Sequence, residues 1–187
     1  MRDWATSLVK GPVAGYMGLL ARAPRTTKAA TAAVIALFGD ALAQYHGASP
    51  SGYSFQRSAA FALWAAAVCV PQHSWYLFLC HEIPLKAVLM DQLIWAPPFT
   101  AGFLFWAAAA TSDGRTWVGA FSRGKENVLA TFLPVILTNW AVWGPVQLVN
   151  FYFVPLPLRI LFGNFVGLGW SGALSYLSFP TAANELR

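Results

Sequence analysis

Apolar residues run through this chain in long blocks separated by short polar stretches. The first block covers about residues 28–45, where Ala29, Ala32, Ala33, Ala36, Gly39 and Ala43 recur at three- or four-residue spacing. That spacing places small side chains on one helix face, where another backbone can approach closely. The run Gly47-Ala48-Ser49-Pro50-Ser51-Gly52 ends it. A second block, about 57–80, is interrupted at Pro71-Gln72-His73, where a missing donor and a steric clash predict a kink. Residues 81–91 read as a short charged connection. A third block, about 92–111, contains Pro97-Pro98, and the hydrophilic stretch 112–126 follows with an Asp113-Gly114 turn. A fourth segment, about 127–149, contains Pro134 and Pro145, and a fifth runs from about 156 to 179. In the fifth, Gly163-x-x-x-Gly167 with Gly169 and Gly172 predicts a second close-packing face. The region 134–155 is expected to be broken or re-entrant. Residues 1–27 predict an amphipathic interfacial segment, with Leu8, Tyr16, Leu19 and Leu20 on the membrane and Lys10 and Arg22 toward water, ending at Pro24.

Composition turns this pattern into a fold class. The 187 residues are 57% hydrophobic and 10% charged, with a mean hydropathy of +0.52. A soluble domain carries about 25% charged residues, so this chain lacks the charge to cover a water-facing surface of its size. The expectation is an all-α integral membrane bundle of four or five transmembrane helices with proline-interrupted segments. It forms one domain over 1–187, with the interfacial segment at 1–27, the bundle at 28–179 and a tail at 180–187. Nine Trp and six Tyr suit interfacial belts.

The net charge of +5 does not indicate nucleic acid. Basic residues gather near the N-terminus (Arg2, Lys10, Arg22, Arg25, Lys28) and otherwise stand singly between apolar runs. That distribution suits loops meeting anionic lipid, or simply solvated loops, and not a stripe that tracks phosphates. Loop charges are nearly balanced, so they do not fix orientation. Cys69 and Cys80 lie eleven residues apart on one predicted helix, roughly 16 Å and beyond disulfide reach. They read as buried, inert thiols, and no spacing suggests a metal site. Residues 1–28 are basic, hydroxyl-rich and poor in acid, like a mitochondrial targeting segment, and the chain is read as uncleaved and internally addressed.

Polar residues inside the apolar blocks are the candidate sites, because amides and charges in hydrocarbon need partners. The stretch Trp143–Arg159 holds Gln147, Asn150 and Arg159 among apolar residues and prolines. Gln147 and Asn150 share a face if the segment is helical, and suit either a weakly selective pore or bonds between helices. Asp40, with Gln44 one turn on, reads as a pore-lining acid or as half of an ion pair with Arg159 or Lys28. Asp91-Gln92 reads as a helix cap or a pore mouth. His73 reads as a proton-sensitive gate or as a neutral imidazole satisfying the kink. Arg159 gives anion preference if it lines a path. The pairs Trp75-Tyr76 and Trp140/Trp143 read as belt or packing aromatics. No HExxH, GxSxG, P-loop or dinucleotide fingerprint is present, so an enzyme is not expected.

A series of residues, taken in chain order, resembles the peroxisomal membrane protein 22 kDa family, which includes mitochondrial inner-membrane members. Tyr16, Leu20, Pro24, Thr27 and Lys28 are similar to its opening, and Gly39, Asp40 and Gln44 to its GD-x3-Q. Arg57 falls where an arginine is expected. Pro71, Trp75 and Tyr76 come next, then Lys86, Asp91, Gln92, Ala96 and Pro97. Asn139, Trp143, Gln147, Asn150, Phe151, Val154, Pro155 and Arg159 resemble its signature, and Trp170, Leu174 and Ser175 close the match. Three positions depart from the pattern: Val70 replaces a glycine, Gly144 intervenes between Trp143 and Pro145, and Ser171 replaces an asparagine.

The resemblance implies an all-helical protein, usually with four spans, in the mitochondrial inner membrane or, alternatively, the peroxisomal membrane. It implies channel activity or regulation of permeability, and neither a cofactor nor a reaction. Asp40, Gln44, His73, Gln147, Asn150 and Arg159 would then converge on a water-accessible path. The alternative is an accessory subunit of a larger mitochondrial assembly such as a respiratory complex, in which the same residues bond helices together. Expected partners are membrane lipids, with a homo-oligomer or such a complex as the two open assemblies.

Overall fold

A computed structural model describes residues 12–45, 52–111 and 116–178. Leu8 and Lys10, most of the 47–52 loop, the Asp113-Gly114 turn and the tail lie outside the described residues. The elements are α1 (Pro12–Arg22), α2 (Pro24–Ala43), α3 (Phe55–Leu79), α4 (Pro84–Met90), a π-helical turn (Asp91–Trp95), α5 (Ala96–Ala110), α6 (Trp117–Phe153), a 3-10 turn (Leu156–Leu158) and α7 (Arg159–Ser178).

Prolines set several of these boundaries. Pro24 does not merely end the interfacial segment as expected; it opens α2, where its fixed φ suits the first turn and its missing donor costs nothing. Thr27 Oγ1 donates to Ala23 O at 2.8 Å and Leu19 O at 3.2 Å, tying the two helices together. Pro84 opens α4 in the same way, so much of the expected 81–91 connection is helical. The π turn lies just before Pro97-Pro98. Residues that cannot donate break the ordinary i→i−4 ladder, and here Ala96 N–H reaches back five residues to Asp91 O instead. Ser54 and Thr116 cap α3 and α6 by accepting from Arg57 N and Gly119 N. Gly52, at φ +87°, supplies the left-handed residue ahead of the Ser54 cap.

The segment expected to be broken or re-entrant is continuous helix. α6 runs for 37 residues through Pro134 and Pro145 and ends only at Val154. It absorbs the hydrophilic stretch from Trp117 onward. Its length is about 55 Å against about 30 Å of hydrocarbon, so its first turns, with exposed Arg123, Lys125 and Glu126, project past the apolar layer.

Helix directions are fixed by contacts. α2 and α3 are antiparallel, joined by Lys28–His73 at one end and Asp40–Arg57 at the other. Trp75–Asp91 and Trp106–Ala60 set α4 and α5 antiparallel to α3. Asn127–Leu104 and Trp140–Gln92 do the same for α6. α7 returns beside α6, with Trp143 edge-on to Trp170 at 6.4 Å. It also packs along α2.

The bundle has an apolar core, as a soluble one does, but it also buries polar groups and leaves apolar stripes outside. Asp40 and Asn150 are fully buried, whereas Leu129, Leu133 and Leu137 form an exposed stripe on α6, as Val34, Phe38 and Leu42 do on α2. Only an apolar solvent rewards that arrangement. Among the described residues, three helical stretches are long and apolar enough to cross a membrane: Pro24–Ala43, Pro84–Ala110 and Trp117–Phe153. The protein is an all-α, multi-pass membrane protein.

The expected glycine face on α7 is not a close approach. A Cβ at Gly163 would meet Trp143 only at 3.9 Å, and one at Gly167 would meet nothing within 4 Å. Close contact lies between α5 and α6, where a Cβ on Gly124 would sit 2.7 Å from the Phe105 ring and 3.0 Å from its carbonyl oxygen. Gly124→Ala should therefore destabilise the protein by about 1–3 kcal/mol. Gly144→Ala, with nothing within 4 Å, should be neutral or stabilising by about 0.5–1 kcal/mol. Thermal unfolding in detergent ranks the two variants, and equal effects would contradict the assigned α5–α6 contact.

Candidate functional site

Two buried carboxylates are handled in opposite ways. Asp40, near the end of α2, accepts from Arg57 Nε at 3.1 Å through Oδ1. Its Oδ2 accepts from Gln44 Nε2 at 2.6 Å and Ser58 Oγ at 2.8 Å. Gln44 also closes the α2–α3 connection, accepting from Ser54 N at 2.6 Å and donating to Ser54 O at 3.1 Å. The partner of Asp40 is therefore neither Arg159 nor Lys28, as the sequence suggested, but Arg57, which the antiparallel α2–α3 pairing brings alongside. Both members of the pair are buried, and the cluster ties the two helices together.

Asp91 has no such cation. It opens the π turn inside continuous helix, so it is not the helix cap that its position suggested. The wide turn faces it inward. Oδ1 accepts from Trp75 Nε1 at 3.1 Å, and Oδ2 accepts from Gln147 Nε2 at 2.8 Å and Gln92 Nε2 at 3.0 Å. Gln147 Nε2 also donates to Tyr76 Oη at 2.8 Å, and Asn150 Nδ2 donates to Gln147 Oε1 at 2.9 Å. Asp91 and Gln147 are each 3% exposed. Among the described residues no lysine or arginine forms an ion pair with Asp91. A carboxylate held by neutral donors alone in a low-dielectric bundle keeps a strong attraction for a cation or a proton.

This cluster borders a cleft of about 150 Å³ between α2, α3, the π turn, α6 and α7. Asp91, Gln92, Tyr76, Gln147, Asn139 and Asn164 give it a polar side, and Trp64, Phe99 and Phe103 an apolar one. Gly163 and Gly167 also line it, so their missing side chains leave room rather than dock a helix. Among the described residues, three buried atoms of lining residues have no protein partner: Trp64 Nε1, Gln92 Oε1 and Asn164 Nδ2. Asn150 Oδ1, on a residue that does not line the cleft, also has no partner. Each orphan costs about 1–3 kcal/mol unless water satisfies it, and the cleft has room for water.

The remaining candidates lie elsewhere. His73 Nδ1 faces Lys28 Nζ at 3.1 Å. Arg159 does not line the cleft; it donates to Val154 O at 3.1 Å and Phe151 O at 3.2 Å and sits 5.1 Å from the Phe151 ring centre. It caps the end of α6. Gly39 is buried on α2. The candidates thus fall into an Asp40–Gln44 group, an Asp91–Gln92–Gln147–Asn150 group, and His73 and Arg159 apart. Trp75 and Tyr76, read as belt or packing aromatics, pack on Trp95 and Phe151 and are also partners in the carboxylate cluster. Asn139, Asn164 and Trp64 were not among the candidate sites. Asn139 and Asn164 carry the signal already used for Gln147, an amide within an apolar run, whereas Trp64 carries no sequence signal.

The Asp40–Arg57 pair predicts a non-additive mutant cycle. Arg57→Met alone should destabilise by about 3–5 kcal/mol because it leaves a buried charge unpaired. The double variant Asp40→Leu/Arg57→Met should be less destabilised than the sum of its single variants. Thermal unfolding of all four proteins tests this, and strict additivity would contradict the pairing.

Sequence comparison agrees with this architecture. A family model described as the Mpv17 / PMP22 family matches residues 114–175. Protein SYM1 of Gibberella zeae is 30% identical over 177 residues, covering 87% of this chain and 95% of that protein. Peroxisomal membrane protein 2 of Bos taurus is 29% identical over 176 residues, covering 87% of each. The mitochondrial inner membrane protein Mpv17 of Drosophila melanogaster is 29% identical over 112 residues, covering 55% of this chain and 63% of that protein. No solved structure matches the chain. Near-complete coverage at this identity, on an all-helical bundle with apolar outer stripes, shows that the chain belongs to the Mpv17 / PMP22 family of organelle membrane proteins.

Proposed function

We propose that this protein is a channel of the mitochondrial inner membrane, with the peroxisomal membrane as the second assignment. The Asp91 cleft is its conduction path. The observation that carries this reading is Asp91 itself, a buried carboxylate without a cationic partner on a cleft edged by orphaned polar atoms. A bundle stabilised only by its own hydrogen bonds gains nothing from such a group. A path for small cations does, because the fixed negative charge offsets the loss of hydration as a cation enters. Gln147 and Tyr76 position the carboxylate. Arg159, turned to backbone carbonyls, takes no part in selection.

A second reading, an accessory subunit of a larger mitochondrial assembly, is favoured by the start of α6. Trp117, Val118 and Phe121 stand there 93%, 77% and 62% exposed, on turns that project beyond the apolar layer, as a surface for another protein would.

Planar-bilayer recordings of the purified protein under a salt gradient test the channel. The reversal potential should show cation preference, and Asp91→Asn should bring that preference close to unity. Arg159→Gln should leave it unchanged. Absence of conductance, together with stoichiometric co-migration with a large complex in mild detergent, would overturn the channel in favour of the subunit.

A further inference from the structure

A second cavity, of about 200 Å³, lies where α1, the start of α2, the later half of α3 and the 3-10 turn meet. Leu20, Pro24, Leu77 and Leu156 form most of its wall, and its charged lining residue is Lys28 beside His73. Lys28 is only 6% exposed. Its partner is an imidazole, with Nζ 3.1 Å from His73 Nδ1. Among the described residues no carboxylate lines the cavity, and none forms an ion pair with Lys28.

The hydrogen-bond inventory defines what fits. An ammonium has three donors and no acceptor, and one of the three is used on His73 Nδ1. Accepting there leaves the neutral imidazole with an N–H at Nε2. Every polar hydrogen that the pair has left is a donor. Arg22 and Arg25, both exposed nearby at the end of α1 and start of α2, add positive charge. A buried cation with spare donors and no anion is costly, and an acceptor-rich oxyanion such as phosphate removes that cost through charge-assisted hydrogen bonds.

Depth and wall chemistry indicate where the phosphate comes from. Lys28 stands four residues inside α2, about 6 Å from its start, at the level where a spanning helix leaves hydrocarbon for headgroups. A free phosphate would leave the leucine walls facing a hydrated ion, whereas an acyl chain matches them. We propose that the Lys28–His73 cavity binds the phosphate of an anionic phospholipid, with the chain of the lipid lying along Leu20 and Leu77.

Native mass spectrometry of the full chain, titrated in detergent with phosphatidylglycerol or phosphatidylcholine, tests this. Phosphatidylglycerol should bind the wild type at least roughly tenfold more tightly, because both lipids offer the same phosphate oxygens but the choline ammonium of phosphatidylcholine offsets that charge and is repelled by Lys28, Arg22 and Arg25. Lys28→Met should abolish that preference and Lys28→Arg should keep most of it. Lys86→Met, which alters an exposed lysine paired with Glu82, should keep all of it. If Lys28→Met does not fold, His73→Leu decides: a weakened preference supports the site and an unchanged one overturns it. Equal binding of the two lipids, or an unaffected Lys28→Met, also overturns it. Displacement of phosphatidylglycerol by millimolar inorganic phosphate would overturn the lipid as ligand and assign the site to free phosphate.

Discussion

Hydrocarbon cannot satisfy a polar group, so every hydrogen bond in the membrane-embedded part of this chain must be made inside the bundle or through water held within it. That constraint orders the structure. It sends Asp40, Asp91, Gln147 and Asn150 inward, and leaves the stripes led by Phe38 and Leu133 outside. It also makes the two buried carboxylates informative, because one is neutralised and the other is not. Asp40 has a guanidinium, a hydroxyl and an amide. Asp91 has an indole and two amides. The first arrangement holds α2 to α3. The second leaves a carboxylate beside a cleft with no cation paired to it among the described residues.

The backbone makes that second arrangement possible. Pro97 and Pro98 cannot donate, and the chain answers with the π turn at Asp91–Trp95. One additional residue in the turn re-aims the side chains around it. Asp91 then meets Trp75 from α3 and Gln147 from α6, while Trp95 stacks on Trp75 with ring centres 5.7 Å apart. Local proline chemistry, the aromatic pair and the carboxylate form one unit. The family pattern of Trp75-Tyr76 followed by Asp91-Gln92 and Pro97 spans that unit, and the structure supplies a physical reason for the spacing.

Much of the fold was legible because membrane solvent leaves strong marks: long apolar blocks, little charge, and small residues at helical spacing. The reading failed where local signals had two outcomes. Pro134 and Pro145 suggested a broken element, yet α6 passes through both. Pro24 looked like an end and serves as a start, since the same ring that stops one helix fits the first turn of the next. The polar candidates themselves were readable, because a carboxylate or amide inside an apolar run stands out. Their partners were not. Nothing in sequence joins Asp40 to Arg57 in preference to Arg159, or Trp75 to Asp91; helix direction decides both. The orphaned Trp64 Nε1 and Asn164 Nδ2 emerge only when every buried donor is checked for an acceptor.

The central claim is that the Asp91 cleft holds water within an apolar bundle, and cysteine accessibility tests it most directly. In vesicles carrying the protein with Cys69 and Cys80 replaced by alanine, Asn164→Cys should react with a small water-soluble thiol reagent. Leu104→Cys, buried in the core, and Leu133→Cys, facing lipid, should not react. An inert Asn164→Cys in a folded protein would contradict the account and leave Asp91 as a structural group in a dry core.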